Sequence, residues 1–131
     1  MEVALRFLAR QTKLVIALAE DNIPHIRVLP VVKFVDKIIY FAISDQDEIY
    51  DQLKNNPTIE VLAIEGNTSV IIKGTAGFTI PDTIKQEIFN NTQLLQRLHQ
   101  NIEELRFFKI PIESIDYYDL NTIPPTLLSF T

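Results

Sequence analysis

Apolar positions change their spacing repeatedly along this chain, and the changes mark out a series of short elements. Residues 2–9, EVALRFLA, set Val3, Phe7 and Leu8 on one side of a short helix. Residues 13–19, KLVIALA, form a continuous apolar run that reads as a buried strand. Glu20-Asp21-Asn22 then turns the chain ahead of Pro24. Residues 25–33, HIRVLPVVK, resume as a strand. Pro30 has no N–H for a ladder, so it calls for an edge position or a bulge. A tight connection at Val35-Asp36 leads to a third strand over residues 37–43, KIIYFAI.

The stretch ISDQDEIYDQLKNNP, residues 43–57, combines a strand end with a helix start and carries four acids before its only base, Lys54. Ser44 or Asp45 is the expected N-cap, with Asp47 and Glu48 in the first turn. Ile49, Tyr50 and Leu53 supply the apolar side. Asn56 is pushed out of the α region by Pro57, which stops the helix. Residues 58–64 alternate as a strand, Glu65-Gly66-Asn67 turns, and 68–78 read as a long strand. Gly74 and Gly77 inside it predict a bend, a bulge or a close backbone approach.

Pro81, with Thr79 as cap, opens a helical region to about His99 that Asn90-Asn91 divides. Residues 106–120 are β-like and broken around Pro111 and Glu113-Ser114, and the two prolines of the tail predict an irregular arm. The connections between the first three strands are too short for parallel crossovers, which take a dozen or more residues. The expectation is a mainly β chain in which six antiparallel strands curl into a barrel flanked by short helices. With no repeat or linker, one domain over residues 1–120 and an arm over 121–131 are expected.

Composition removes several classes of function. Cysteine is absent, which excludes disulfides and Cys-ligated metals. The net charge of −5, with its bases scattered, argues against nucleic acid. No apolar run approaches the roughly 18–20 residues of a membrane span. No export-type start is present either, so a cytoplasmic location is expected. His25 and His99, the only histidines, lack metal-ligand spacing, so no metal site is expected. There is no G-x-S-x-G elbow, and three glycines are too few for a dinucleotide fingerprint. Arg27 lies between Ile26 and Val28 in an apolar strand. Turned inward it needs an anion, which its planar fork suits; turned outward it is an ordinary side chain on a wet face.

Five stretches, in order, carry a resemblance to a known family: FLARQTKLVIALAEDNIPHIRVLPVV, KIIYFAI, YDQLKNNPTIEVLAI, KGTAGF and FKIPIESIDYYDL. The sharpest signals are P-H-x-R after the first hairpin and Q-L-x-x-N-P before the next strand. Over residues 3 to about 120 the chain resembles the pyridoxamine 5'-phosphate oxidase-like FMN-binding split barrels. The resemblance implies a homodimer with FMN in a groove at the subunit interface. It implies that Arg27 reaches the flavin or its phosphate, and that Val28, Leu29, Val31 and Val32 line the ring edge with main-chain groups. Ala42 and Ile43 would stand where a strand meets the phosphate, and Lys73 would stand in for a nearby arginine.

Family members set Thr or Ser near position 43 and Lys, or Arg-Lys, within positions 47–49. This chain has Ile43, Asp47, Glu48 and Ile49 there, and Ile71-Ile72 where an arginine is common. Replacing a base by an acid changes the local charge by two units beside a doubly charged phosphate. Two functions are therefore expected. The first is a small flavoprotein that uses FMN to oxidise or reduce a small molecule, with no identified acid or base beyond His25. The alternative is a non-catalytic dimer that has lost FMN or takes another flat ligand, such as haem or a deazaflavin.

Overall fold

A computed structural model describes residues 1–131. In chain order the elements are α1 (Glu2–Ala9), β1 (Lys13–Glu20), β2 (Ile23–Pro30), β3 (Lys33–Val35), β4 (Ile38–Ser44), α2 (Ile49–Asn55), β5 (Thr58–Glu65), β6 (Thr68–Thr75), α3 (Asp82–Asn91), α4 (Gln93–Leu98), β7 (Leu105–Asp119) and β8 (Thr126–Phe130). A single 3-10 turn, Ile102–Glu104, leads into β7. Every strand pairing is antiparallel.

The strand order is β2-β1-β5-β6-β7-β4-β3, with β8 added on β7. The two end strands, β2 and β3, are consecutive in the chain and joined by Val31-Val32 alone. So short a link forces the sheet to curl back on itself. The Val31 N–H donates to the Thr12 carbonyl (3.0 Å) beside β1, and the Val32 N–H to the Tyr40 carbonyl of β4 (3.2 Å). β2 does not pair with β4, so the barrel is split there. Pro30 ends an edge strand, as its missing N–H requires.

Alternation turns Leu14, Ile16 and Leu18 of β1 into the barrel with Ile39, Phe41 and Ile43 of β4. Phe7 and Leu8 of α1 and Ile49 and Leu53 of α2 join this cluster, and Phe41 stacks on Phe108 with ring centroids 5.1 Å apart. Val3, expected on the apolar side of α1, is exposed, and Ala4 is buried instead. Tyr40 and Ala42 face the other way, into a second cluster under α3 and α4 with Ile80, Ile88, Leu95, Leu105 and Phe107.

Several local expectations change. The sheet has eight strands rather than six. One added strand, β3, is split off by the two-residue hairpin Asp36-Lys37, whose φ values of 55° and 60° match the twist of the flanking strands. The other is β8: residues 126–130, expected to be irregular, pair with β7 because the prolines at 124 and 125 lie before the strand.

β6 stops at Thr75 rather than at residue 78, because Gly77 bridges to Lys109 beyond a register shift. β7 is unbroken: Lys73 stands opposite Ser114 and Gly74 opposite Ile112, so Glu113 is accommodated as a bulge. Helix α3 begins one residue after Pro81 with no side-chain cap from Thr79, and α4 follows Thr92, close to the expected break.

Gly74 shows why the bulge needs glycine. A Cβ there would lie 2.7 Å from the Pro111 carbonyl oxygen and 2.8 Å from Ile110 Cγ2. A main-chain carbonyl in a ladder does not yield to a methyl group. Gly74→Ala is expected to destabilise the fold by about 1–3 kcal/mol, read as a lower urea midpoint with an unchanged slope.

Candidate ligand groove

β2 offers its free edge to the split, and its side chains alternate between the two sheet faces. Arg27 stands opposite Ile16 and His25 opposite Leu18, so both project on the barrel side, each half-buried. The Arg27 guanidinium donates to the carbonyl of Ile26 (3.0 Å), and neither of the molecule's two ion pairs includes it. Leu29 lies in the barrel core and Val28 on the outer face. Val31 packs against the barrel cluster and Val32 against the second one.

Across the split, Ala42 is buried beneath the helices while Ile43 points into the barrel. The structure thus brings Arg27, Leu29, Val31 and Ile43 to the barrel side and separates Val28, Val32 and Ala42 from them. Lys73 lies further away. The row Arg27, Ile16, Val61, Ile72 crosses three strand spacings, about 14 Å, and Lys73 alternates to the opposite face beside Glu60 and Ser114. Within one chain it does not join Arg27.

The segment from 43 to 49 shows what occupies the phosphate position implied by the sequence resemblance. Ile43 is 5% exposed and Ile49 0%, and both belong to the barrel core. Neither Ser44 nor Asp45 caps α2. Instead the Asp47 carboxylate accepts the N–H of Ile49 at 3.0 Å, while Glu48 stands at the helix start without a side-chain bond. Ser44 Oγ accepts the N–H of Gln46 at 3.1 Å, so the hydroxyl at this turn is also engaged.

Gln52, from the Q-L-x-x-N-P stretch, is the one buried polar side chain, and its Oε1 has no donor. That oxygen calls for a hydrogen-bond donor. The residues of this segment therefore do not fit the phosphate of FMN: apolar side chains and a helix start served by an acid stand where donors are needed.

Two cavities stand out, and none of the residues expected from the sequence lines either. The larger, about 460 Å³, lies between Tyr50 of α2, the start of α3, the 3-10 turn and the first residues of β7. The smaller, about 270 Å³, lies between the ends of β1 and β5 near Asn56. Three stretches far apart in the chain contribute to the larger one, which leaves no local motif to betray it.

No protein-family model matches the chain, and no curated protein matches it either. Solved structures do. One is a protein related to general stress protein 26, described as of the pyridoxinephosphate oxidase family, from Clostridium acetobutylicum. It has a TM-score of 0.82 at 14% identity, over 99% of this chain and 92% of that one. A putative pyridoxamine 5'-phosphate oxidase from Listeria innocua gives 0.77 at 20% identity, over 92% and 98%. A heme binding protein from Mycobacterium smegmatis gives 0.77 at 12% identity, over 98% of this chain and 56% of that one. The chain has the split-barrel fold of the pyridoxamine 5'-phosphate oxidase-like proteins.

Removing the Asp47 carboxylate leaves the N–H of Ile49 without its acceptor at the end of a half-buried helix. Asp47→Ala is expected to cost roughly 1 kcal/mol, within the range for lost helix caps, measured by urea denaturation.

Proposed function

We propose that the chain is a homodimeric binding protein of split-barrel fold. Its groove beside β2 accepts the flat part of a planar ligand and lacks the phosphate clamp of an FMN enzyme. The observation that carries this reading is the joint burial of Ile43 and Ile49 behind an Asp47 already bonded to the helix start. Arg27, free of carboxylates, and the main-chain groups on the unpaired edge of β2 ahead of the Val31-Val32 link remain available to the ring.

The heme binding protein with this fold supports a flat ligand other than a flavin, and half-buried His25 is the candidate to meet it. FMN-dependent oxidoreduction of a small molecule is the second reading. The unpaired Arg27 favours it, since a guanidinium beside the groove suits a flavin or its phosphate.

The dimer rests on the outer face of the sheet. Val28, Val15, Leu62 and Ile71 stand opposite one another in a single row across β2, β1, β5 and β6. Ile26, Val28, Ile64 and Leu127 are 67%, 60%, 61% and 61% exposed. No helix of this chain packs on that row, and an apolar face of this extent calls for a partner surface. A second copy, presenting the same row, matches it in chemistry.

Titration of the purified protein with FMN and with riboflavin tests the groove. FMN is expected to bind no more tightly than riboflavin; a preference of tenfold or more for FMN would establish a working phosphate clamp and overturn the reading. Sedimentation equilibrium tests the dimer. The native chain is expected to be dimeric and Ile71→Glu monomeric, with an unchanged circular dichroism spectrum; a monomeric native chain would remove this interface.

A further inference from the structure

The 460 Å³ cavity stands apart from the groove beside β2, and its walls combine three features that the fold itself leaves unused. The first is an open strand edge. Lys109 and Gly77 exchange both main-chain bonds, at 2.8 and 2.9 Å, on the side of β7 away from β4. Alternation turns the N–H and C=O of Phe107 to that same side, two residues along. Thr79, two residues beyond Gly77, makes no main-chain bond to it, because the chain is leaving for α3. Phe107 therefore presents a free donor and a free acceptor to the cavity that it lines.

The second feature is charge of both signs without internal pairing. Lys85, Arg106, Asp82 and Glu103 all line the cavity, and none takes part in the molecule's two ion pairs, Lys33–Glu87 and His99–Glu104. Arg106 bonds only the carbonyl of Leu105 (3.3 Å), and Lys85 Nζ lies 6.0 Å from the centre of the Phe107 ring. The third is the set of apolar residues in the lining, Ile102, Leu105, Phe107 and Tyr50.

We propose that this cavity binds a short free peptide, lying extended along the open edge of β7. An amide of the peptide exchanges bonds with Phe107, as Gly77 does with Lys109. Its carboxylate meets Arg106 and Lys85, its ammonium meets Asp82 and Glu103, and an apolar side chain lies on Ile102 and Tyr50. The volume lies within the roughly 300–1,000 Å³ of small-ligand sites and suits two or three residues at about 3.3 Å of length each. Inorganic anions satisfy the two bases alone, and simple amines the two acids alone; a peptide with free ends satisfies both, together with the strand edge.

The test is a titration of the full-length ¹⁵N-labelled protein with Ala-Val-Ala, followed by amide chemical shifts. Saturable changes are expected at Lys85, Gln86, Glu103, Arg106 and Phe107. The N-acetylated, C-amidated peptide is expected to bind at least about tenfold more weakly, and so is the free peptide to Arg106→Ala. Lys85→Gln gives the same reading if Arg106→Ala does not fold. Absence of saturation at about millimolar peptide, changes confined to other residues, or equal binding of the capped peptide would each overturn the proposal. None of these outcomes depends on flavin binding or on the dimer.

Discussion

The two-residue link Val31-Val32 governs this structure. It joins the strands at opposite ends of the sheet, and its two N–H groups bond to both sides, one to Thr12 and one to Tyr40. A sheet whose ends are tied so closely has to close around its own apolar face. The barrel core, the split beside β2 and the exposure of the far face follow from that closure. Because the link satisfies one strand on either side, β2 keeps a free edge along the rest of its length.

Closure also decides what charge can do near the split. In a barrel this narrow, the last inward residue of β4 and the first residue of α2 reach the same interior, and here both are isoleucines, Ile43 and Ile49. Polar or basic residues at those places would have no partner in the apolar interior; the isoleucines belong to the same buried cluster as Leu29. The acid that remains, Asp47, is held by the helix start. A short helix with an acid at its positive end has little left to offer an anion. Fold and ligand chemistry thus separate: the barrel is that of the solved neighbours, while the positions where the sequence resemblance would put a phosphate grip hold core residues and a cap.

The same alternation that fills the barrel leaves its outside apolar along β2, β1, β5 and β6, where α3 and α4 do not reach. Those helices instead cover β4 and the first half of β7. Beyond Gly77 the chain departs from β7 to begin α3, and the larger cavity opens under that departure. One event, the bulge at Gly74 and the early end of β6, therefore sets both the length of the sheet and the opening at its edge.

Much of this was legible in the residues. Apolar spacing marked most strands and Asn56-Pro57 the end of α2, while Gly74 read as a bend, bulge or close approach and Pro30 as an edge or bulge, because each reflects a local rule of alternation, dihedral angle or missing donor. An acid serving the start of α2 could also be read from the place of Asp47 just ahead of the helix, although the expected caps were Ser44 or Asp45. The tail strand could not, because β8 exists only where β7 is ready to pair with it.

Nor could the sequence tell that Arg27 faces the barrel, that Lys73 lies on the other face, or that Lys85 and Arg106 share one cavity. Local sequence determines which residues alternate. Which face becomes the inside, and which distant segments meet across it, is decided only when the sheet curls and its ends are tied.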